Sequence, residues 1–425
     1  MVMSEQQRWQ LRVGRAYDGS GAPATRDVLV TIDGERIAEV RPATGEDVPH
    51  LPQATVLPGL LDLHVHLNMR GDGQPLESIN SVSDGVLGLR SYAAASAYLR
   101  HGVTTVLDLG SRDTTVLDLG EALEEGTLVG PTVLASGPPV TRTGGHMWVM
   151  NGEADGADGV RRAVRERAKA GAAAIKLVAT GGATRNSSWF QPAYTEEEMR
   201  AAVVEAHAIG LPVAAHCTNS EGTAMAVRAG VDLLVHAFLY DADGTYRFRP
   251  ELAEAIAERG TWVNPTLYTV ESRIQRAREL SELRQLTASE RAQLDADLRG
   301  LDERRDMTAR LHAMGVPFVM GSDGGFTEVR HGTTAREAAA LTAAGLSPVA
   351  ALAAATGAAA GVLGRDDLGT LRAGARADLL LVGGDPGTDI DQLTNVVAVV
   401  KSGRLVHATD DARQVLDPHG VLRRW

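Results

Sequence analysis

The feature that most constrains this chain is a recurrence. Short, uninterrupted apolar runs follow one another along the sequence, and several stop on a side chain able to bind a metal. The first, Val56-Leu57-Pro58-Gly59-Leu60-Leu61-Asp62-Leu63, leads straight into His64-Val65-His66. A run without polar alternation suits a strand covered on both faces. Side chains two apart in a strand share a face, so His64 and His66 project together from its C-terminal end. Two solvated histidines at a strand end would show the same spacing, so the pair alone does not decide.

Later runs decide more. Ala173–Val178 carries Lys176, Pro212–His216 ends on His216, Asp232–His236 on His236, and Pro317–Asp323 on Asp323. Each has an ordinary alternative: a buried lysine paired with a carboxylate, a core histidine, a helix-capping aspartate. Together they set ligand-type residues at the C-terminal ends of successive buried strands separated by helical segments. That rim is where a parallel β/α barrel gathers its chemistry.

The order HxH, Lys, His, His, Asp resembles the amidohydrolase superfamily in its binuclear-metal form. The flanks Leu57–His66, Ile175-Lys176-Leu177 with Thr180-Gly181-Gly182, and Gly369–Asp385 (GTLRAGARADLLLVGGD) are similar to its imidazolonepropionase-like and Xaa-Pro dipeptidase-like branch. The resemblance implies an α/β fold in which a (β/α)8 TIM-like barrel, residues 58–364, is inserted in a small discontinuous β-sandwich domain formed by 1–57 and 365–425. The termini point the same way. Alternating strands at Trp9–Val13, Asp27–Ile32 and Arg36–Val40, and again at Asp378–Val382, Val396–Val400 and Gly403–Val406, are too few in either half to enclose a core.

Neutral imidazoles of His64 and His66 would hold one divalent ion and His216 with His236 a second, nitrogen ligands suiting zinc. A lysine ammonium, with a reference pKa of about 10.4, does not fit beside two dications. The resemblance implies that Lys176 is instead N6-carboxylysine, an anion bridging the ions. It further implies that Asp323 binds the first ion and moves the proton while a metal-bridging hydroxide attacks a carbonyl. The expected activity is hydrolysis of an amide-type C–N bond in a dipeptide, an N-acyl amino acid or a related carboxylate-bearing amide. A mononuclear deaminase or cyclic amide or amidine hydrolase of the same fold stays open as an alternative, as does a non-catalytic binding protein.

Four further residues are candidates for substrate contact. His146, in Gly144-Gly145-His146 after the third strand Thr132–Gly137, matches a GGH of the related peptidases that assists the substrate's carbonyl or carboxylate. Tyr240 follows His236 closely and could donate to a developing oxyanion. Arg185 could grip a carboxylate in bidentate fashion, and His331 would form pocket wall. Each also reads as a loop or packing residue. Cys217 should face away from the metal side, and Asp62 should sit deeper on the face of His64. His207 suits a surface position and His101 a helix end.

The rest sets bounds. Ser81–Leu99 is Ala-rich and helical, and Thr195-Glu196-Glu197-Glu198 has the form of a capping box. TTVLDLG at Thr104–Gly110 recurs at Thr114–Gly120, a spacing too short for a repeat architecture. The charged stretch 268–315 exceeds one barrel helix and suits a lid or an oligomer contact. A net charge of −12 and a pI near 5.5 weigh against nucleic acid and anionic membranes. One cysteine, no signal-length apolar core in MVMSEQQRWQ and no bilayer-length apolar stretch fit a cytoplasmic homo-oligomer acting on a small molecule.

Overall fold

The computed structural model describes residues 8–185 and 187–417. Residues 1–7, which carry most of the N-terminal segment read for a signal sequence, lie outside the described residues. Strands β1 (Arg8–Ala16), β2 (Thr25–Asp33), β3 (Arg36–Pro42) and β4 (His50–Pro58) open the chain. Then come β5 (Leu60–Val65), β6 (Val103–Asp108), β7 (Thr132–Ala135), β8 (Ile175–Val178), β9 (Val213–Asn219), β10 (Leu233–Tyr240) and β11 (Trp262–Asn264), separated by helices. β12 (Leu379–Gly383), β13 (Val396–Lys401) and β14 (Arg404–Ala408) complete the described strands.

The two ends of the chain share one seven-stranded sheet, ordered β14-β13-β12-β4-β1-β2-β3. Its Leu11, Val30, Ile37, Leu381 and Leu405 side chains meet in one apolar cluster. The sheet curls far enough for its distant turns to touch, Trp9 Nε1 donating to the Gly403 carbonyl at 3.1 Å.

The middle of the chain is α/β, with parallel strands ordered β5-β6-β7 and β11-β10-β9-β8. Parallel bridges Val140↔Leu177, Val263↔Phe318 and Val65↔Gly324 link the two sheets at both sides. This closed order fits a TIM-like barrel. Every residue of β5, β6, β8 and β9 is buried, which explains why their sequences do not alternate. Gly59 is needed where it stands, because a Cβ there would lie 2.2 Å from Thr104 Oγ1.

Two segments bear on the site. β11 is only Trp262–Asn264, since Pro265 has no N–H to continue the ladder and Thr266 turns the chain at φ 49°. The stretch 268–315 is two helices, Tyr268–Leu283 and Ala288–Ala313, the second started by a Thr287–Glu290 capping box. They pack on each other through Val270, Ile274 and Leu301 and roof the C-terminal ends of the strands. Among the described residues no helix is long and apolar enough to cross a membrane.

Candidate metal centre and active site

At the C-terminal ends of the strands lies a cavity of about 520 Å³ lined by His64, His66, His146, Lys176, His216, His236 and Asp323, among others. His64 lies next to the end of β5 and His66 follows the strand, so strand alternation turns both inward. The next strand partner is the segment that carries Asp323, whose N–H donates to the His64 carbonyl at 2.8 Å. Asp323 and His236 sit at φ 57° and 70°. Such left-handed positions are costly for non-glycine residues and aim these two side chains where a regular strand would not.

Each imidazole is held by its outer nitrogen. Asn264 gives its Nδ2 hydrogen to the Gly321 carbonyl at 2.8 Å, so its Oδ1 accepts from His64 Nδ1 at 3.2 Å. His66 Nδ1 donates to the Gly110 carbonyl at 3.0 Å, and His236 Nδ1 meets Thr266 Oγ1 at 2.7 Å. His216 is reversed: its Nε2 donates to the Gly181 carbonyl at 3.0 Å, leaving Nδ1 as the lone pair. Fixing the tautomer from outside is how metal-binding histidines are usually oriented.

The inner nitrogens then converge on a carboxylate. His64 Nε2 and His66 Nε2 each lie 3.4 Å from Asp323 Oδ1, and Lys176 Nζ lies 3.4 Å from His64 Nε2. One donor atom from each of His64, His236 and Asp323 falls within 4.8 Å of the others. His216 stands one step out, its ring centroid 4.7 Å from that of His236. Lone pairs aimed at one another repel unless a proton or a cation sits among them. Protonation is opposed: burial holds the His64 pKa well below its usual value, reinforced by Lys176, and burial pushes His236 down to about 3. The donor set therefore fits a divalent cation. For Asp323 burial pushes the pKa up, but His64, His66 and His236 outweigh it and keep the carboxylate ionised. Burial likewise brings Lys176 down to about 8 against the pull of Asp323.

A matching pattern places the chain. The amidohydrolase family model matches residues 55–406. This protein belongs to the amidohydrolase family. The amidohydrolase is 29% identical over 274 residues to ochratoxinase of Aspergillus niger, an alignment covering 54% of each, so the chain spans about half the length of that curated relative. It is 28% identical over 387 residues to an uncharacterized protein of Mycobacterium tuberculosis, covering 91% of this chain and 94% of that one. Its fold is similar to the crystal structure of a Xaa-Pro dipeptidase with methionine bound in the active site, with a TM-score of 0.81 at 28% identity, covering 95% of this chain and 100% of the other.

The candidates for substrate contact divide. His146 lines the cavity of the amidohydrolase, its Nδ1 2.8 Å from Thr184 Oγ1, with the Thr184 N–H directed at the same nitrogen. Tyr240 also lines it and donates its hydroxyl to Glu303 Oε2 at 2.8 Å. Arg185 is not brought in: it stands exposed on a turn and is not part of the cavity lining. His331 packs beneath the cavity, edge-on to Tyr98, with Nε2 donating to the Met69 carbonyl at 2.9 Å.

Asp62 is buried deeper, accepting from Thr334 Oγ1 at 2.6 Å and from the Ser322 and His64 N–H groups. It thus ties β5 to the segment that bears Asp323. The sequence reading missed the anchors Asn264 and Thr266, and although it marked 268–315 as a lid or an oligomer contact, it did not pick out the residues of that stretch that face the cavity. Gln293, Ala296, Asp297, Gly300 and Arg304 line the cavity at helical spacing. The stripe is polar, so a search for apolar periodicity passes over it.

Proposed function

We propose that this amidohydrolase is a metal-dependent hydrolase that cleaves the amide-type C–N bond of small carboxylate-bearing molecules, dipeptides and N-acyl amino acids above all. One observation carries the reading: the inner nitrogens of His64 and His66 share Asp323 Oδ1 at 3.4 Å inside a roofed cavity. The similarity to a dipeptidase and to an ochratoxinase supports amide hydrolysis as the reaction class.

In this reading His64, His66 and Asp323 hold one divalent ion, and His216 and His236 a second. Lys176, as N6-carboxylysine, would supply anionic oxygen ligands to both. Zinc suits these donors. Bound ions supply Lewis acidity and lower the pKa of water to about 7. The chain's own groups do the rest. Asp323, an ionised carboxylate, takes the proton of the attacking water and passes it to the nitrogen that leaves as the C–N bond breaks. With the Thr184 N–H donating to Nδ1, His146 carries its hydrogen on Nε2 and donates it to the substrate carbonyl. Tyr240 at the outer wall would become a second donor on exchanging its bond to Glu303 for one to the substrate. Trp189, Phe238 and Phe326 exclude water from the reacting bond.

The test is a hydrolysis screen of dipeptides, N-acyl amino acids, lactams and carbamates, using protein loaded with zinc and bicarbonate. Amine release from carboxylate-bearing amides, abolished by chelation, is expected. Failure of the metal-replete protein to turn over any amide overturns the proposal.

A further inference from the structure

We infer that Arg304, on the roof helix Ala288–Ala313, anchors the substrate's carboxylate. The inference rests on the proposed function for the kind of ligand, and on this cavity alone for the residue.

The guanidinium of Arg304 lies over the ring of Phe238, with Cζ 3.8 Å from the centroid. Phe238 follows His236 by two residues on β10, so the stack suspends the cation beside the candidate metal centre. The guanidinium also makes a side-chain hydrogen bond with the Tyr240 hydroxyl, and its charge is felt by His236. Within this arrangement Arg304 Nε is buried and has no hydrogen-bond partner.

The other cations of the lining are spoken for or exposed. Lys176 Nζ lies 3.4 Å from His64 Nε2. Arg273 grips Asp297 through Nη2 at 2.7 Å and Nε at 3.1 Å. Arg299 stands exposed at the mouth. The acids nearest Arg304 are turned elsewhere, Asp297 to Arg273 and Glu303 to the Tyr240 hydroxyl. Among the described lining residues, Arg304 is thus the sheltered cation without a carboxylate partner.

A guanidinium fixed in plane by an aromatic face still presents the edges of its fork, a geometry that matches a carboxylate and that a lysine does not reproduce. A carboxylate bound there would take up the unused donor and leave the amide between it and His64 and His236. This is the role the sequence suggested for Arg185, moved to the opposite wall.

Calorimetry on the full zinc-loaded chain tests the assignment with L-methionine and L-methioninamide, which differ only in the carboxylate. Wild type is expected to favour the carboxylate by about 10- to 100-fold, the range of a charge-assisted contact. In Arg304→Gln the ratio should fall to within about twofold, and in Arg304→Lys it should take an intermediate value. Thermal melts establish that the variants are folded, and either variant alone suffices for the comparison. A ratio near one in wild type, or a ratio untouched in a folded variant, overturns the inference. Because binding is read without turnover, an Arg304-dependent preference in a protein that hydrolyses nothing would sink only the hydrolase. Hydrolysis with no such preference would sink only Arg304.

Discussion

His64 and Asn264 are joined across the interior, Nδ1 to Oδ1 at 3.2 Å, although one lies next to the end of β5 and the other ends β11. The bond fixes which nitrogen of His64 keeps its lone pair. Replacing Asn264 with Ala frees the ring and the tautomer. Zinc affinity, read by competition with a chromogenic chelator, should fall about 10- to 100-fold while the circular dichroism spectrum is kept. An unchanged affinity would show that His64 does not bind the ion through that nitrogen.

Lys176 gives a prediction in pH. Burial brings its ammonium down to about 8, and only the neutral amine can add carbon dioxide. The neutral fraction grows as pH rises through that value. Reactivation of metal-stripped protein by zinc and bicarbonate should therefore speed up between about pH 7 and 9 and level off above. Lys176→Met should lose at least one ion per chain by elemental analysis and about 100-fold in activity. Full metal content in that variant would exclude the bridging role.

His146 can be moved without being touched. A Cβ on Gly182 would lie 2.5 Å from His146 Cδ2, so Gly182→Ala must displace the ring. A displaced donor costs up to about 100-fold in kcat/KM, with metal content intact. Equal turnover by Gly182→Ala and wild type would remove His146 from the reaction.

A fourth prediction concerns the join between the sheet of the two ends and the barrel strands. Lys401 Nζ is buried on Asp378 Oδ2 at 2.6 Å and on Thr132 Oγ1, at the start of β7, at 2.8 Å. Asp378→Ala leaves an uncompensated buried ammonium, a loss of about 3–5 kcal/mol in urea unfolding at constant slope. Burial already pushes Lys401 down to about 8, so the protonated form favours the unfolded chain. Asp378 holds that pKa up, so its loss lowers it further, and the extra destabilisation is greatest in acid and fades as pH rises through about 8. A variant equally destabilised at pH 7 and 10 would contradict this account, those pH values being about a unit or more either side of the wild-type folded pKa of Lys401.

What the sequence revealed follows from which patterns are local. The run into His64 is a buried strand, and its two imidazoles enter one cavity, because strand alternation needs no tertiary information. The Thr195–Glu198 box starts a helix where it should. TTVLDLG marks the limit. Its first copy is mostly strand, buried throughout, whereas its second lies in the helix Thr115–Glu124 with Thr115, Val116 and Leu119 buried and Asp118 exposed. Seven identical residues satisfy either period, and the surroundings choose. The two roof helices were separable in principle, since Thr287-Ala288-Ser289-Glu290 is itself a capping box. Arg304 was not, because its significance depends on Phe238 being beneath it.

The roof's own apolar cluster, Val270, Ile274 and Leu301, is separate from the large core of the barrel. Toward the cavity wall the roof is clasped by Tyr240 with Glu303 and Tyr246 with Asp306, while the last turns of the helix Ala288–Ala313 sink Met307 and Leu311 into the barrel core. Water can replace such clasps at small cost, whereas it cannot replace packed hydrocarbon. Admission of a ligand can therefore proceed by loosening the outer part of this cover, with Met307 and Leu311 keeping the helix anchored to the strands below.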